Sequence, residues 1–223
     1  MNTSKNKRHL SGFTLTEVVV AATILTLVLG ALASFIVSSS KDLFWATNKS
    51  LISNDVRSFT TRISNETLGA NHGYIYESFD RADRSSKSDQ KESGLTGDCL
   101  VLVHMDPYPN EDDAKHYTKL VVYFRSPDES GESPVYRVEK SFATPQPINT
   151  DNGSDHFEAF LATYFPNSDD TSDIVLELSR GLADGNLFRN FGNGTFIVNG
   201  EILHGNKVKE VTNTYNLTIS PRG

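Results

Sequence analysis

From Phe13 to Val37 the chain runs through 25 residues of which 18 are apolar, and Glu17 is the single charge between Gly12 and Lys41. A helix needs about 20 residues at 1.5 Å each to cross a bilayer, so this run is long enough to span one. The flanks orient it. Lys5, Lys7 and Arg8 precede the run with no acid among residues 1–12, whereas Lys41, Lys49, Arg57 and Arg62 after it are offset by Asp42, Asp55 and Glu66. Basic residues stay on the cytoplasmic side, which places residues 38–223 outside the inner membrane.

Glu17 sits only four residues into the run. A carboxylate within a membrane helix costs about 2.5 to 3.5 kcal/mol on insertion scales, and less near the interface, so its presence asks for a reason. Headgroup-depth snorkelling is the plain one. A cationic partner is the sharper one: a cut between Gly12 and Phe13 would put a new α-amine one helical turn from Glu17, within reach of the same residue on a neighbouring subunit.

The stretch Lys-x-Lys-Arg-His-Leu-Ser-Gly12-Phe13-Thr14-Leu15-Thr16-Glu17-Val18-Val19-Val20-Ala21-Ala22 resembles the prepilin leader of type IV pilins and type II secretion pseudopilins. The resemblance is tight over residues 5–37 and loose onward to 68. It implies that a membrane prepilin peptidase cuts after Gly12 and methylates Phe13, and that Glu17 guides assembly by pairing with a neighbouring subunit's amine. Its implied partners are that peptidase, other pilin or pseudopilin subunits and inner-membrane lipid. Major subunits usually carry a proline where this chain has Ser34. Many type IV pilins close a C-terminal loop with a disulfide, which the lone Cys99 cannot make. The chain from Phe13 onward is also larger than a typical major subunit. These departures imply a minor pilin or minor pseudopilin with an enlarged head, and the intact Glu17 argues against the tip-most pseudopilin class.

Two other readings compete. A secretory signal peptide would use Ala31-Leu32-Ala33 as its cleavage motif, but its apolar region would be overlong and would hold a glutamate. A single-pass anchored binding or receptor protein would keep its leader and form no filament.

Beyond the run, Leu43, Phe44, Leu51, Ile52, Val56, Phe59, Ile63 and Leu68 keep the spacing of an amphipathic helix, and Gly69 is a natural stop. A helix from 13 to 68 would be roughly 84 Å long. The period then becomes that of strands, over Tyr74–Phe79, Cys99–Met105, Tyr117–Arg125, Val135–Phe142, Phe157–Phe165, Ile174–Leu178, Thr195–Leu203 and Tyr215–Ile219. The polar stretch Arg81–Asp98 reads as a mobile surface loop. The expected organisation is α+β: a basic leader (1–12), a transmembrane or filament-core helix (13–37), an amphipathic continuation (38–68) packed on an antiparallel β-rich head (69–223). With the apolar residues concentrated at the N-terminus, the head is left with a thin core.

The remaining features point away from chemistry. A net charge of -7 and a pI near 5.3 do not supply the basic footprint that nucleic acid demands. The chain holds no H-E-x-x-H, G-x-S-x-G, P-loop or G-x-G-x-x-G. Ser88-Asp-Gln-Lys91 fits S-x-x-K but falls in the polar stretch, where a lysine is not desolvated. His104 and Asp106 would share a strand face as half a metal site or, more simply, as a surface ion pair. Cys99 reads as a small buried hydrophobe. One acidic cluster (Asp106, Asn110, Glu111, Asp112, Asp113) and another (Asn167, Asp169, Asp170, Asp173) have the oxygen density that Ca²⁺ takes. The second lacks the turn glycine and closing glutamate of an EF-hand, so solvated acidic turns are the default reading and no cofactor is expected.

Overall fold

A computed structural model describes residues 12–106, 116–125, 133–147, 156–166, 173–180, 185–206 and 209–222. Helix α1 (Leu15–Gly69) opens the chain. It is followed by β1 (His72–Tyr76), β2 (Thr96–Gly97), β3 (Cys99–Met105), β4 (His116–Arg125), β5 (Ser133–Pro147), helix α2 (His156–Tyr164), β6 (Asp173–Arg180), β7 (Phe188–Gly192), β8 (Thr195–Asn206) and β9 (Lys209–Ile219). The chain divides into two compact units, residues 1–47 and 48–223. In the first, the side chains of α1 are solvent-exposed almost throughout, and α1 contains a segment apolar and long enough to cross a membrane.

In the second unit the nine strands form one antiparallel sheet in the order β1-β3-β4-β5-β6-β8-β7-β2, with β9 paired along β8. The two ends of this path meet, since a Cβ added at Gly97 would lie 2.1 Å from the Tyr76 carbonyl oxygen. The sheet buries both faces. In β3, Leu100 and Leu102 join Ile52, Phe59 and Ile63 of α1 in one core, while Cys99, Val101 and Val103 join Leu161 of α2 in another. β4 alternates in register with it, Val101 opposite Val122 and Leu102 opposite Val121. A strand covered on both sides must be apolar at every position, which explains the unbroken Cys99–Val103 run. Each such side chain contributes about 1.5 to 3 kcal/mol of burial.

The strand expected over Phe157–Phe165 is instead helix α2. A nine-residue apolar run fits either period, and here the helical one wins: Leu161 and Phe165 are buried while Ala159 and Thr163 face solvent. The amphipathic stripe of α1 is confirmed at Ile52, Phe59 and Ile63, with Val56 packed beside them, but Leu43, Leu51 and Leu68 are exposed.

The expected mobile loop Arg81–Asp98 is folded, because its polar residues act as anchors. Arg84 is fully buried: its Nε donates to Phe79 O over 2.7 Å, its Nη2 donates to Phe165 O, and its guanidinium stacks over the Phe79 ring. Asp89 accepts from the amides of Ser85 and Ser86, and Asp98 pairs with Arg125 at 2.9 Å where β3 begins and β4 ends.

Strand β7 was not visible as a hydrophobic run. Its signal is the turn that follows, where Asn193 (φ 51°) and Gly194 (φ 71°) join Gly192 to Thr195. Two successive left-handed residues, Asn-Gly, are what a two-residue type I′ hairpin requires.

Candidate functional site

Gly12 and Phe13 precede α1, and Phe13 is 86% exposed. The sequence then makes its own helix start. Thr14 is the N-cap: its backbone N–H donates to Glu17 Oε2 over 2.8 Å, and its hydroxyl donates to the same oxygen over 2.9 Å. The Glu17 amide approaches Thr14 Oγ1 at 3.4 Å, completing a capping box. The Glu17 carboxylate also lies in the first turn, where the helix dipole favours an anion. Thr14-x-x-Glu17 is a legible capping signature, and Thr14 is the site residue that the sequence reading passed over.

Gly12, Phe13 and Glu17 all fall within a segment that a family model recognises. Residues 7–33 match the model of the prokaryotic N-terminal methylation motif. This is the type IV pilin and pseudopilin signature. No curated protein and no solved structure matches the chain. The pilin-type segment thus comprises a basic leader, the Gly12-Phe13 junction and the first turns of α1, and the head beyond it stands on its own sequence. The matched motif and the apolar helix that follows fit a membrane-anchored pilin-type protein.

The other candidates are dispersed. Asp169 and Asp170 lie outside the described residues, as do Asn110, Glu111, Asp112, Asp113 and Asn167. Asp173 opens β6, its backbone in register with Arg137. Among the described residues, no group of three His, Cys, Asp or Glu side chains could hold a metal ion. His104 and Asp106 do not share a strand face, because a bulge falls between His104 and Met105 and β3 ends there. His104 Nδ1 instead lies 2.9 Å from the Gly69 carbonyl oxygen, at the C-terminal end of α1. Lys91 is paired with Glu77 at 2.5 Å rather than with Ser88. Cys99 is fully buried, and that burial pushes its thiol up to about 12.

Two polar clusters fix the head's helices. Glu66 of α1 accepts from Arg137 Nη2 at 2.5 Å and from the Tyr123 hydroxyl, tying the helix to β4 and β5. Burial first, and then the Glu66 carboxylate, drive the Tyr123 phenol up. On the opposite face Glu158 of α2 accepts from Tyr76 Oη over 3.1 Å and from Gln90 Nε2 over 2.5 Å. Glu158 at the start of α2 and Arg84 on the Phe165 carbonyl complement the two ends of that helix's dipole.

Proposed function

We propose that this protein is a minor pilin or minor pseudopilin, a non-enzymatic subunit of a type IV pilus or type II secretion pseudopilus. It enters the inner membrane once, with the leader cytoplasmic and the head periplasmic. Prepilin peptidase removes residues 1–12 after Gly12 and methylates Phe13, and the helix beginning at Phe13 then carries the subunit into a filament of other pilins or pseudopilins. The observation that carries this reading is the matched motif at residues 7–33, in which Gly-Phe lies immediately before an apolar helix whose first turn holds an isolated glutamate.

The large head, Ser34 in place of a helix proline and the single cysteine support the minor class. In the filament Glu17 accepts the methylated amine of a neighbour. Its pairing with Thr14 holds the carboxylate at the helix start until that exchange, since the two hydrogen bonds use one oxygen, Oε2.

Mass spectrometry of the mature N-terminus tests the reading. A chain beginning at methylated Phe13 supports it. A chain beginning at Met1 identifies an anchored receptor or binding protein, and one beginning at Ser34 an exported domain.

A further inference from the structure

The two sides of the sheet end differently. The outer edge of β1 is covered by its own chain: Lys91 N donates to Ile75 O over 2.7 Å, with the Lys91–Glu77 ion pair alongside. Strand β9 pairs with β8 without a bulge from Ile219 opposite Phe196 to Lys209 opposite Asn206. On its other side no strand pairs with it among the described residues. Open edges in natural proteins are blunted by charges, proline, bulges or shortness. From Val211 to Ile219 the sequence Val-Thr-Asn-Thr-Tyr-Asn-Leu-Thr-Ile has no charge, proline or glycine. The strand is also held in place, since Tyr215 Oη lies 3.0 Å from Thr60 Oγ1 and its ring packs edge-on against Phe59.

We propose that β9 is an interface, pairing antiparallel with β9 of a second copy of this chain about a twofold axis through Asn216. The strand is self-complementary in that register. Thr214 meets Thr218 of the other copy on the exposed face, hydroxyl against hydroxyl, and Tyr215 meets Leu217 on the core side, aromatic against aliphatic. An axis through Tyr215 would instead set two phenols head-on. The net charge of -7 opposes self-association, but none of that charge lies between Val211 and Ile219, so no like charges meet at the axis. Pairing would convert this edge into the middle of a continuous sheet.

The test uses the full chain in its membrane, with single cysteines introduced by Thr214→Cys, Asn216→Cys, Thr218→Cys and, as a control on exposed α2 surface, Thr163→Cys. Each is oxidised with copper phenanthroline and run on a non-reducing gel; native Cys99 is buried and stays out of the reaction. The expected result is a shift to twice the subunit mass for Asn216→Cys alone. Copies carrying Thr214→Cys and Thr218→Cys, inert separately, should crosslink when coexpressed, and adding Asn216→Lys to both should abolish that product by placing two ammonium groups on the axis. The absence of a doubled mass at Asn216→Cys would overturn the proposal, as would equal crosslinking at Thr163→Cys. Capture by Asn216→Cys of a protein of different mass, with no doubled species, would also overturn it, because the edge would then belong to another partner.

Discussion

Thr14 and Glu17 close on each other at the start of α1, the threonine amide and hydroxyl both donating to one carboxylate oxygen at 2.8 and 2.9 Å. In the isolated subunit the glutamate is therefore a capping residue, and its second oxygen has no partner among these contacts. The side chain thus sets the helix start directly after Gly12 and Phe13; under the proposed function it would also offer an anion to a neighbour's amine.

The first prediction concerns the junction. A peptidase that must fit an extended backbone with no side chain at the cut will not accept a bulky residue at position 12. Gly12→Glu should accumulate at the full 223-residue length, as read by mass. Normal maturation to Phe13 in that variant would contradict the assignment.

The second concerns the packing of α1 on the sheet. Phe59 is 1% exposed and meets Tyr123 and Tyr215 edge-to-face. Phe59→Ala should destabilise the head by about 3 to 5 kcal/mol. Denaturant unfolding of the full chain in detergent checks this, and a loss below about 0.5 kcal/mol, the size of a surface substitution, would contradict it.

The third concerns the buried Asp98–Arg125 ion pair, where β3 begins and β4 ends. Asp98 joins Arg125 on one oxygen and accepts the Leu187 amide at 2.8 Å on the other. Burial pushes the Asp98 carboxyl up, and Arg125 pulls it back down. Asp98→Ala leaves a buried guanidinium without its carboxylate and should cost about 3 to 5 kcal/mol. Asp98→Ala combined with Arg125→Leu should recover most of that loss, since the double change leaves no orphaned charge.

The fourth is a pH dependence. Burial, and then the Lys119 ammonium, hold the His104 imidazole below its ordinary value, against the weaker upward pull of the Gly69 carbonyl, Glu66 and Glu139. Nε2 is buried without a partner. Below about 6.5 the unfolded chain therefore binds a proton that the folded head resists, and stability falls as pH falls through that window. His104→Gln should flatten the slope of stability below about pH 6.5, measured by thermal unfolding at a series of pH values.

The helix and most strands are legible in the sequence because each carries a periodic signal: Ile52, Phe59 and Ile63 at helical spacing, Cys99–Val103 as a continuous apolar run. Where periodicity was ambiguous or absent, the reading failed. The aromatic run at α2 supports either period, and only packing of Leu161 on the sheet decides it. The stretch from Arg81 to Asp98 is almost without apolar residues, so nothing in its composition reveals that Arg84 and Asp98 are buried by partners more than 25 residues distant in sequence. At the candidate site the reverse holds: Thr14-x-x-Glu17 was present as a local signature and could have been read directly.

The central claim is that Glu17 is an assembly carboxylate and not merely a helix cap. Glutamine keeps the capping-box geometry but carries no charge, whereas valine removes both. An unpaired buried amine costs about 3 to 5 kcal/mol, so a filament should reject either variant. The measurement is the amount of subunit in sheared filaments, or crosslinked to neighbouring pilins, for Glu17→Gln and Glu17→Val beside cleavage followed by mass. The account predicts normal cleavage and membrane retention with incorporation lost in both. Wild-type incorporation of Glu17→Gln would show that the cap alone is what the filament needs, and would contradict it.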